Sequence, residues 1–369
     1  MLEKGKISNR QFTIIVTFFI AGSAILITPT LLASKAKQDA WIAAILAVCI
    51  GLLVIPLYNA LGKRFSDMNL AEYCEAILGR WLGKTVFLLF LTYPLIGSAL
   101  TLRNIGDFMS TQFMRETPIQ AIHIIFMAVA VMGVRLGLET LVRAAELFFP
   151  WIFLLCLILI MLVAPQMKAV NMLPVLEDGV LPVLRATVSF LTFPFLGTVV
   201  FLMVYPSVNR IGNAGKSMLT GELMGGIVLT IITVQATAVL GADQVARSSF
   251  SSYEIARRIS IGNFLERIEA IMAVIWILTI FFRLALLLYV VVLGIAQTFR
   301  FREYKFLAIP AGIVIIPLSI LIVPNSTYLS MFNQNILPVY LPTFGLLLPL
   351  LLLVVAVIRN KRSGSGKSS

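Results

Sequence analysis

The sequence predicts an all-α membrane protein with ten transmembrane helices, of which the first and the sixth are broken. The chain has 369 residues, of which 59% are hydrophobic and 12% are charged. Soluble domains carry about 25% charged residues, so this composition indicates an integral membrane protein. Two further observations support the prediction: a series of ten apolar runs, and a pair of runs that helix-breaking residues interrupt.

The ten apolar runs each approach or exceed the roughly 20 residues that a helix needs to cross a bilayer. They lie at about 11–32, 40–61, 84–113, 117–133, 139–164, 183–204, 215–240, 264–296, 304–323 and 338–358. An even number of spans puts both termini on the same side of the membrane. The basic segment after residue 358, which turns Gly/Ser-rich, predicts a disordered cytoplasmic tail at 359–369.

Two of the runs contain residues that do not suit a continuous helix. In the sixth run, Thr192–Thr198 places a Pro and a Gly between threonines, and the first run is weak at Gly22–Ser23 and again at Thr28–Pro29. Pro and Gly disfavour helix interiors, and in a bilayer broken backbone persists only where protein or a water-lined cavity satisfies it. Interrupted helices in corresponding positions of two halves are typical of a transporter-like binding site.

The distribution of positive charge predicts that both termini are cytoplasmic. The net charge is +12, and 18 of the 29 Lys and Arg residues fall in segments that are cytoplasmic if the N-terminus is inside, whereas 10 fall outside. Cytoplasmic loops of membrane proteins are enriched in Lys and Arg. We therefore attribute the positive charge to membrane topology and expect no nucleic-acid partner.

Two connecting segments carry helical patterns. Asn69 and Glu72 have the spacing of a capping box, and the apolar residues that follow recur at helical spacing as far as Trp81. This pattern predicts an amphipathic helix against the membrane or the underside of the bundle. The segment 241–263 predicts a helical lid, in which Ser252 caps a short helix with one apolar face.

Arg283 is the most informative single residue, because it lies near the centre of the eighth apolar run. A lone charge at that depth costs about 2.5–3.5 kcal/mol on insertion scales, so it faces the bundle interior or water. Two interpretations stay open: a fixed cation beside a substrate or gate, and a structural partner for the carbonyls of a broken helix. In the third run, Tyr93 and Gly97 flank a kink at Pro94 that suits a cavity wall.

Several stretches together resemble the spore germination permease family, the B subunits of nutrient germinant receptors, within the amino acid–polyamine–organocation superfamily. The resemblance runs along the whole chain. It is carried by Lys6–Gln11, Gly22–Pro29, Asn69–Gly83, Phe193–Pro206 and Tyr253–Glu269.

This resemblance implies a fold of five plus five helices in an inverted repeat, with the ligand between the broken spans one and six and the scaffold spans three and eight. Residues 1–358 would form a single transmembrane domain, with repeat one at about 11–164 and repeat two at about 183–358. The resemblance also implies a spore inner-membrane location, and partners in the form of a channel-forming A subunit and a lipoprotein C subunit.

Broken helices offer free N–H groups to a carboxylate and free C=O groups to an ammonium, so a small zwitterion such as an amino acid suits the predicted site. Small residues would let the ligand approach the backbone, and apolar residues would supply a wall. The candidate ligand-binding residues are Gly22, Ser23, Ala24, Ile25, Tyr93, Gly97, Phe193, Pro194, Leu196, Gly197, Thr198 and Arg283. We also hypothesise that the guanidinium of Arg283 substitutes for a coupling sodium ion.

Three functions are compatible with this interpretation. The first is a nutrient germinant-sensing subunit that binds a small molecule and signals to its partners. The second is a secondary amino acid transporter, either proton-coupled or uncoupled, and the third is a scaffold with an inactive pocket. The sequence has no HExxH, GxSxG or P-loop motif and no Cys/His metal spacing. We therefore expect no enzyme activity, no cofactor and no metal site.

Overall fold

The computed structural model describes Glu3, residues 5–258 and residues 268–361, apart from the side chain of Ser23. Within these residues the protein is helical, and one isolated parallel bridge joins Ile7 to Val208. The α-helices are α1 Asn9–Ala36, α2 Ala40–Arg64, α3 Leu70–Leu78, α4 Arg80–Gln112, α5 Ile119–Leu136, α6 Leu138–Val163, α7 Val180–Phe190, α8 Ile211–Leu240, α9 Ala242–Arg247, α10 Ser251–Arg258, α11 Glu269–Thr298, α12 Ala308–Leu321, α13 Ser326–Met331, α14 Leu337–Pro342 and α15 Leu348–Ile358.

Eight helical segments of the described residues are long and apolar enough to cross a membrane. The prediction of a helical membrane protein is therefore confirmed, whereas the count of ten spans is not. The difference has two causes. The helical turn Lys37–Asp39 links α1 to α2, so that Ala24–Arg64 counts as one segment, and the ninth run folds into the shorter apolar helix Lys305–Leu321.

The first span is not broken at Gly22–Ser23, where the prediction placed an interruption: α1 runs unbroken from Asn9 to Ala36. Gly22 serves a different purpose, because a Cβ there would lie 3.0 Å from both Arg283 Cβ and the Thr279 carbonyl oxygen. The small residue lets α1 approach α11 closely, as small residues do at helix contacts in membranes. Further along, Pro29 is accommodated inside the helix.

The sixth span, Val180–Met203, does depart from α-helical geometry at the predicted stretch. After α7 the backbone forms a π-helix at Leu191–Phe195 and then a 3-10 helix at Leu196–Met203. Pro194 has no N–H to donate to the carbonyl four residues before it, so one α-helical hydrogen bond is lost at this stretch. A 3-10 run of eight residues is uncommonly long, and such stretches often mark a hinge or strain.

Small residues allow the central helices to pack closely. A Cβ at Gly221 of α8 would meet the backbone of Thr13 and the side chain of Val16 in α1, and a Cβ at Gly225 would meet Ile20. Lipid tails are as apolar as side chains, so helices in a membrane associate through such close contacts. α1 packs against α8, α11 and the first part of the sixth span, and α11 packs in turn against α4.

The amphipathic helix in the first long loop is α3, and its capping box is present: the Asn69 side chain accepts from the Glu72 N–H, and the Glu72 side chain accepts from the Asn69 N–H. Its apolar stripe ends earlier than predicted. Gly79, at φ +93°, terminates α3, so Trp81 lies in the first turn of α4 and is 85% exposed. The C-terminal segment lies at the same end of the bundle, since Arg359 donates to the Ile77 carbonyl.

The predicted lid is described as α9 and α10, while residues 259–267 lie outside the described chain. In α10, Ile255 and Ala256 are buried and Arg257 is exposed, as the pattern predicts. Ser252 is not a cap but an interior residue of α10. The predicted tail 359–369 is described only as far as residue 361.

Candidate functional site

Arg283 lies in α11 with 5% of its surface exposed and faces the interior of the bundle. Its Nη1 donates a 2.7 Å hydrogen bond to the Phe19 carbonyl of α1. The guanidinium carbon lies 4.4 Å from the centroid of the Phe19 ring and 5.6 Å from that of Phe193, in cation–π contact. Its Nε has no hydrogen-bond partner within the described chain. Arg283 thus links α1 to the sixth span, and its Nε donor is left unused among the described residues.

A small cavity of about 20 Å³ adjoins Arg283. Its walls come from α4, the π-helical part of the sixth span, α11 and α14. They comprise Tyr93, Ile96, Gly97, Leu100, Thr101, Asn104, Phe193, Arg283, Leu337, Tyr340 and Leu341. A cavity of this size has room for about one water molecule. The structure therefore represents a closed arrangement, and a ligand larger than water requires its walls to move.

A second cavity of about 410 Å³ lies on the α9–α10 side of the small one. Asn104 and Phe193 line both cavities, so the Phe193 ring stands between them. The larger cavity is also lined by Asp107, Arg247 and Asn333. Its volume falls in the range of pockets for small molecules. The larger cavity, called the vestibule below, and the closed inner cavity thus share a wall at Asn104 and Phe193.

Tyr93 fixes the sixth span at the point where its helix type changes. Its hydroxyl donates a 3.0 Å hydrogen bond to the Gly197 carbonyl. A Cβ at Gly197 would lie 2.5 Å from that hydroxyl oxygen, so no side chain fits there without displacing Tyr93. The 3-10 segment thus has a backbone acceptor satisfied by α4, as nonstandard backbone in a membrane requires.

Of the predicted site residues, the inner cavity brings together Tyr93, Gly97, Phe193 and Arg283. Seven others do not line it: Gly22, Ala24, Ile25, Pro194, Leu196, Gly197 and Thr198. Ala24, Pro194 and Leu196 are buried in the helical core, and Ile25 lines a separate apolar cavity of about 250 Å³ between α1, α6 and α8. The side chain of Ser23 lies outside the described structure.

Two buried sites with ionisable side chains were not among the predicted ligand-binding residues. Glu222 of α8 is 1% exposed and contacts the sixth span, where its Oε1 lies 2.6 Å from Thr198 Oγ1. The general signal was available, since an ionisable residue in an apolar run points to function. The second site is the Arg103–Asp107 ion pair of α4, whose four-residue spacing places both side chains on one helical face; it is joined at 3.0 Å and is buried.

The inner cavity is chemically suited to the recognition of a ligand. It combines a fixed cation, hydroxyl and amide groups, and aromatic and aliphatic walls, which together suit a small molecule with an anionic group. Among the described residues, no three His, Cys, Asp or Glu side chains come together as a set that could hold a metal ion.

Comparison with solved structures shows the fold. The structure of MhsT in complex with L-phenylalanine superposes with a TM-score of 0.72 at 14% identity, covering 98% of this chain and 91% of that one. Mhp1, a nucleobase-cation-symport-1 family transporter, gives 0.68 at 15% identity, covering 93% and 77%. Mhp1 is a transporter by name, and inverted repeats are common in transporter folds. The predicted fold class is therefore confirmed.

Comparison with curated proteins shows the family. The chain is 32% identical to spore germination protein KB of Bacillus subtilis (strain 168), over 99% of this chain and 98% of that protein. It is 25% identical to spore germination protein YndE of the same strain, over 96% and 98%. A family model described as spore germination protein matches residues 6–327. The chain therefore belongs to the spore germination permease family, as its resemblance suggested.

Proposed function

We propose that this protein is the nutrient germinant-sensing subunit of a spore germinant receptor, and that it binds a small molecule in the inner cavity. The observation that carries the proposal is Arg283, whose buried guanidinium borders the cavity and whose Nε has no hydrogen-bond partner among the described residues. Among the described residues it forms no ion pair with a carboxylate. A desolvated guanidinium without an anion is a strong binding group for a ligand carboxylate.

An amino acid is the ligand class that this wall composition favours. Thr101 and Asn104 offer oxygen acceptors to an ammonium group, and Ile96, Leu337 and Leu341 offer an apolar wall to a side chain. MhsT, which shares the fold, was solved with L-phenylalanine, and that supports the same class of ligand. Because the cavity is closed, we propose that binding moves Phe193 and the 3-10 segment behind it.

We further propose that Arg283 takes the place of a coupling cation. Its Nη1 binds the Phe19 carbonyl of α1, which is the kind of group that a sodium ion would bind in a transporter of this fold. Ligand binding should then be independent of sodium. Binding that requires sodium would contradict this part of the proposal.

The assembly and its location are also proposals. Relatives named spore germination proteins support a location in the spore inner membrane and partnership with a channel-forming A subunit and a lipoprotein C subunit. The bias of Lys and Arg supports a cytoplasmic location for the N- and C-termini. We also propose that the spans form a single domain of two repeats. The ligand would then enter the vestibule from the outer side, under α9 and α10.

A secondary amino acid transporter is the second candidate, because the solved structures that this chain resembles are transporters. Uptake by vesicles separates the two functions. A sensor binds its ligand without accumulating it, whereas a transporter concentrates it or equilibrates it across the membrane.

The proposal is tested by germination of spores that lack this chain and carry either the wild type, Arg283→Met or Arg185→Met. Arg185 is an exposed residue of α7 and serves as the matched control. We expect spores with the wild type and Arg185→Met to respond to one or more amino acids, and spores with Arg283→Met to respond to none. An equal response by all three would contradict the proposed role of Arg283.

A further inference from the structure

Glu222 is a buried carboxyl group that the proposed ligand site does not use. Three elements face it. In α1, Val16 and Ile20 pack against the glycines beside it, and Thr17 donates to the Gly221 carbonyl. The sixth span contributes Thr198, and α2 contributes the Tyr58 phenol, the titratable group that interacts with it electrostatically. No Lys, Arg or His of the described chain forms an ion pair with Glu222.

The hydrogen bonds around Thr198 identify the form of this carboxyl group. Thr198 Oγ1 lies 2.6 Å from the Phe195 carbonyl oxygen and 2.6 Å from Glu222 Oε1. A threonine hydroxyl has a single hydrogen and can donate to only one of these oxygens, although it can also accept. Both contacts are hydrogen bonds only if the hydroxyl donates to Phe195 and accepts from a protonated Glu222.

The ionised form does not satisfy the same geometry. A carboxylate would attract the Thr198 hydrogen, since hydrogen bonds to charged acceptors are the stronger ones. The Thr198 oxygen would then face the Phe195 carbonyl oxygen at 2.6 Å with no hydrogen between them. Glu222 Oε2 has no hydrogen-bond partner among the described residues, so the charge would also be poorly solvated. Both effects favour the neutral acid.

We propose that Glu222 is a proton-binding site that holds the 3-10 segment Leu196–Met203 against α8. When the proton leaves for water, the Thr198 hydroxyl turns from Phe195 to the carboxylate, and the contact between the two oxygens becomes repulsive. The segment, which contains Gly197 and follows Phe193, then has to shift. Proton occupancy is thereby coupled to the conformation of the sixth span, whatever ligand the inner cavity accepts.

Infrared spectroscopy of the full chain in lipid nanodiscs tests the proton directly. The difference spectrum of wild type minus Glu222→Gln should contain the C=O band of a protonated carboxylic acid at mildly acidic pH, and this band should vanish at alkaline pH. Thr198→Val removes the hydrogen-bond partner and should shift the band without abolishing it. Absence of a protonated band at every pH would overturn the proposal.

The coupling is tested by the melting temperature as a function of pH. Wild type should lose thermal stability at alkaline pH, whereas Glu222→Gln, a neutral mimic of the acid, should lose less. Glu116→Gln, at an exposed position, is the matched control and should follow the wild type. Parallel pH profiles for Glu222→Gln and wild type would overturn the coupling. Stabilisation of wild type by sodium at alkaline pH, absent from Glu222→Gln, would identify a cation site instead.

Discussion

Ser252 of α10 donates a 2.6 Å hydrogen bond from its hydroxyl to the carbonyl oxygen of Ile25 in α1. This carbonyl is the acceptor that Pro29, four residues later, leaves without its helical N–H donor. α10 therefore completes the hydrogen bonding of the first span. A proline in a membrane helix is tolerated where a neighbour satisfies the freed carbonyl in this way.

This hydrogen bond predicts that the effects of Ser252→Ala and Pro29→Ala on stability are not additive. Ser252→Ala should destabilise the protein by about 1–3 kcal/mol, because it leaves a buried carbonyl unsatisfied. Pro29→Ala restores a backbone N–H that can donate to Ile25, so Ser252→Ala should cost clearly less in that background. Melting temperatures of the four proteins of the double-mutant cycle measure the coupling. Ser249→Ala, at an exposed position, is the control. Additive effects would exclude the shared acceptor.

The close contact at Gly197 predicts a difference between two glycines. Gly197→Ala places a Cβ 2.5 Å from the Tyr93 hydroxyl oxygen, whereas at Gly97 the nearest atom is 3.5 Å away. Gly197→Ala should displace Tyr93, break the hydrogen bond of its buried hydroxyl to the Gly197 carbonyl and cost about 1–3 kcal/mol. Gly97→Ala should leave the melting temperature nearly unchanged. Equal effects of the two substitutions would show that Tyr93 moves aside without cost.

The buried Arg103–Asp107 pair predicts that replacing one partner destabilises the protein more than replacing both. Asp107→Asn leaves Arg103 charged and unpaired and should cost about 3–5 kcal/mol, whereas replacing both with leucine should recover most of that loss. The melting temperatures of the single and double variants decide the matter. A double variant less stable than Asp107→Asn would indicate that the pair itself is stabilising.

A hydrogen bond holds the N-terminal segment at Glu3 against the bundle: the Tyr304 hydroxyl donates to the Glu3 carboxylate. Burial and this hydrogen bond raise the pKa of the Tyr304 phenol above its usual value. The contribution of the neutral phenol to stability is therefore complete below the pKa of an unfolded tyrosine, about 10, and is lost only as the pH rises through the folded value.

We therefore expect the wild-type N-terminal segment to resist proteolysis from neutral pH to about pH 10. Tyr304→Phe lacks the hydroxyl and should be cleaved faster across that range. The rate of N-terminal cleavage under limited proteolysis measures the effect. Identical cleavage of the two proteins would show that the Glu3 contact does not fasten the segment.

The sequence predicted the fold class and the position of the distortion in the sixth span, because both follow from local chemistry. Apolar runs define spans, and Pro194 removes a helical hydrogen bond wherever it lies. The same local reasoning was wrong for Gly22. A glycine in a helix signals either a break or a close approach, and only the neighbouring α11 shows which one applies.

The site was predicted less completely than the fold, because the sequence of one helix does not show which side chains face the neighbouring helices. Residues that are close in the sequence of the sixth span point in different directions, so Phe193 reaches the cavity whereas Leu196 does not. The partners of Ser252 and of Glu222 lie in other spans, and no pattern within one segment reveals which carbonyl or hydroxyl they contact. Arg283 could be identified from the sequence because the free-energy cost of a charge inside the bilayer does not depend on which helix it faces.

The central claim is that a small molecule binds beside Arg283, and equilibrium binding of labelled amino acids to the purified chain tests it most directly. Wild type and Arg185→Met should bind at least one amino acid saturably without sodium, and Arg283→Met should bind it at least tenfold more weakly, a loss of about 1.4 kcal/mol or more. Equal affinity of wild type and Arg283→Met for the bound amino acid would contradict the claim, as would the absence of binding to the wild type.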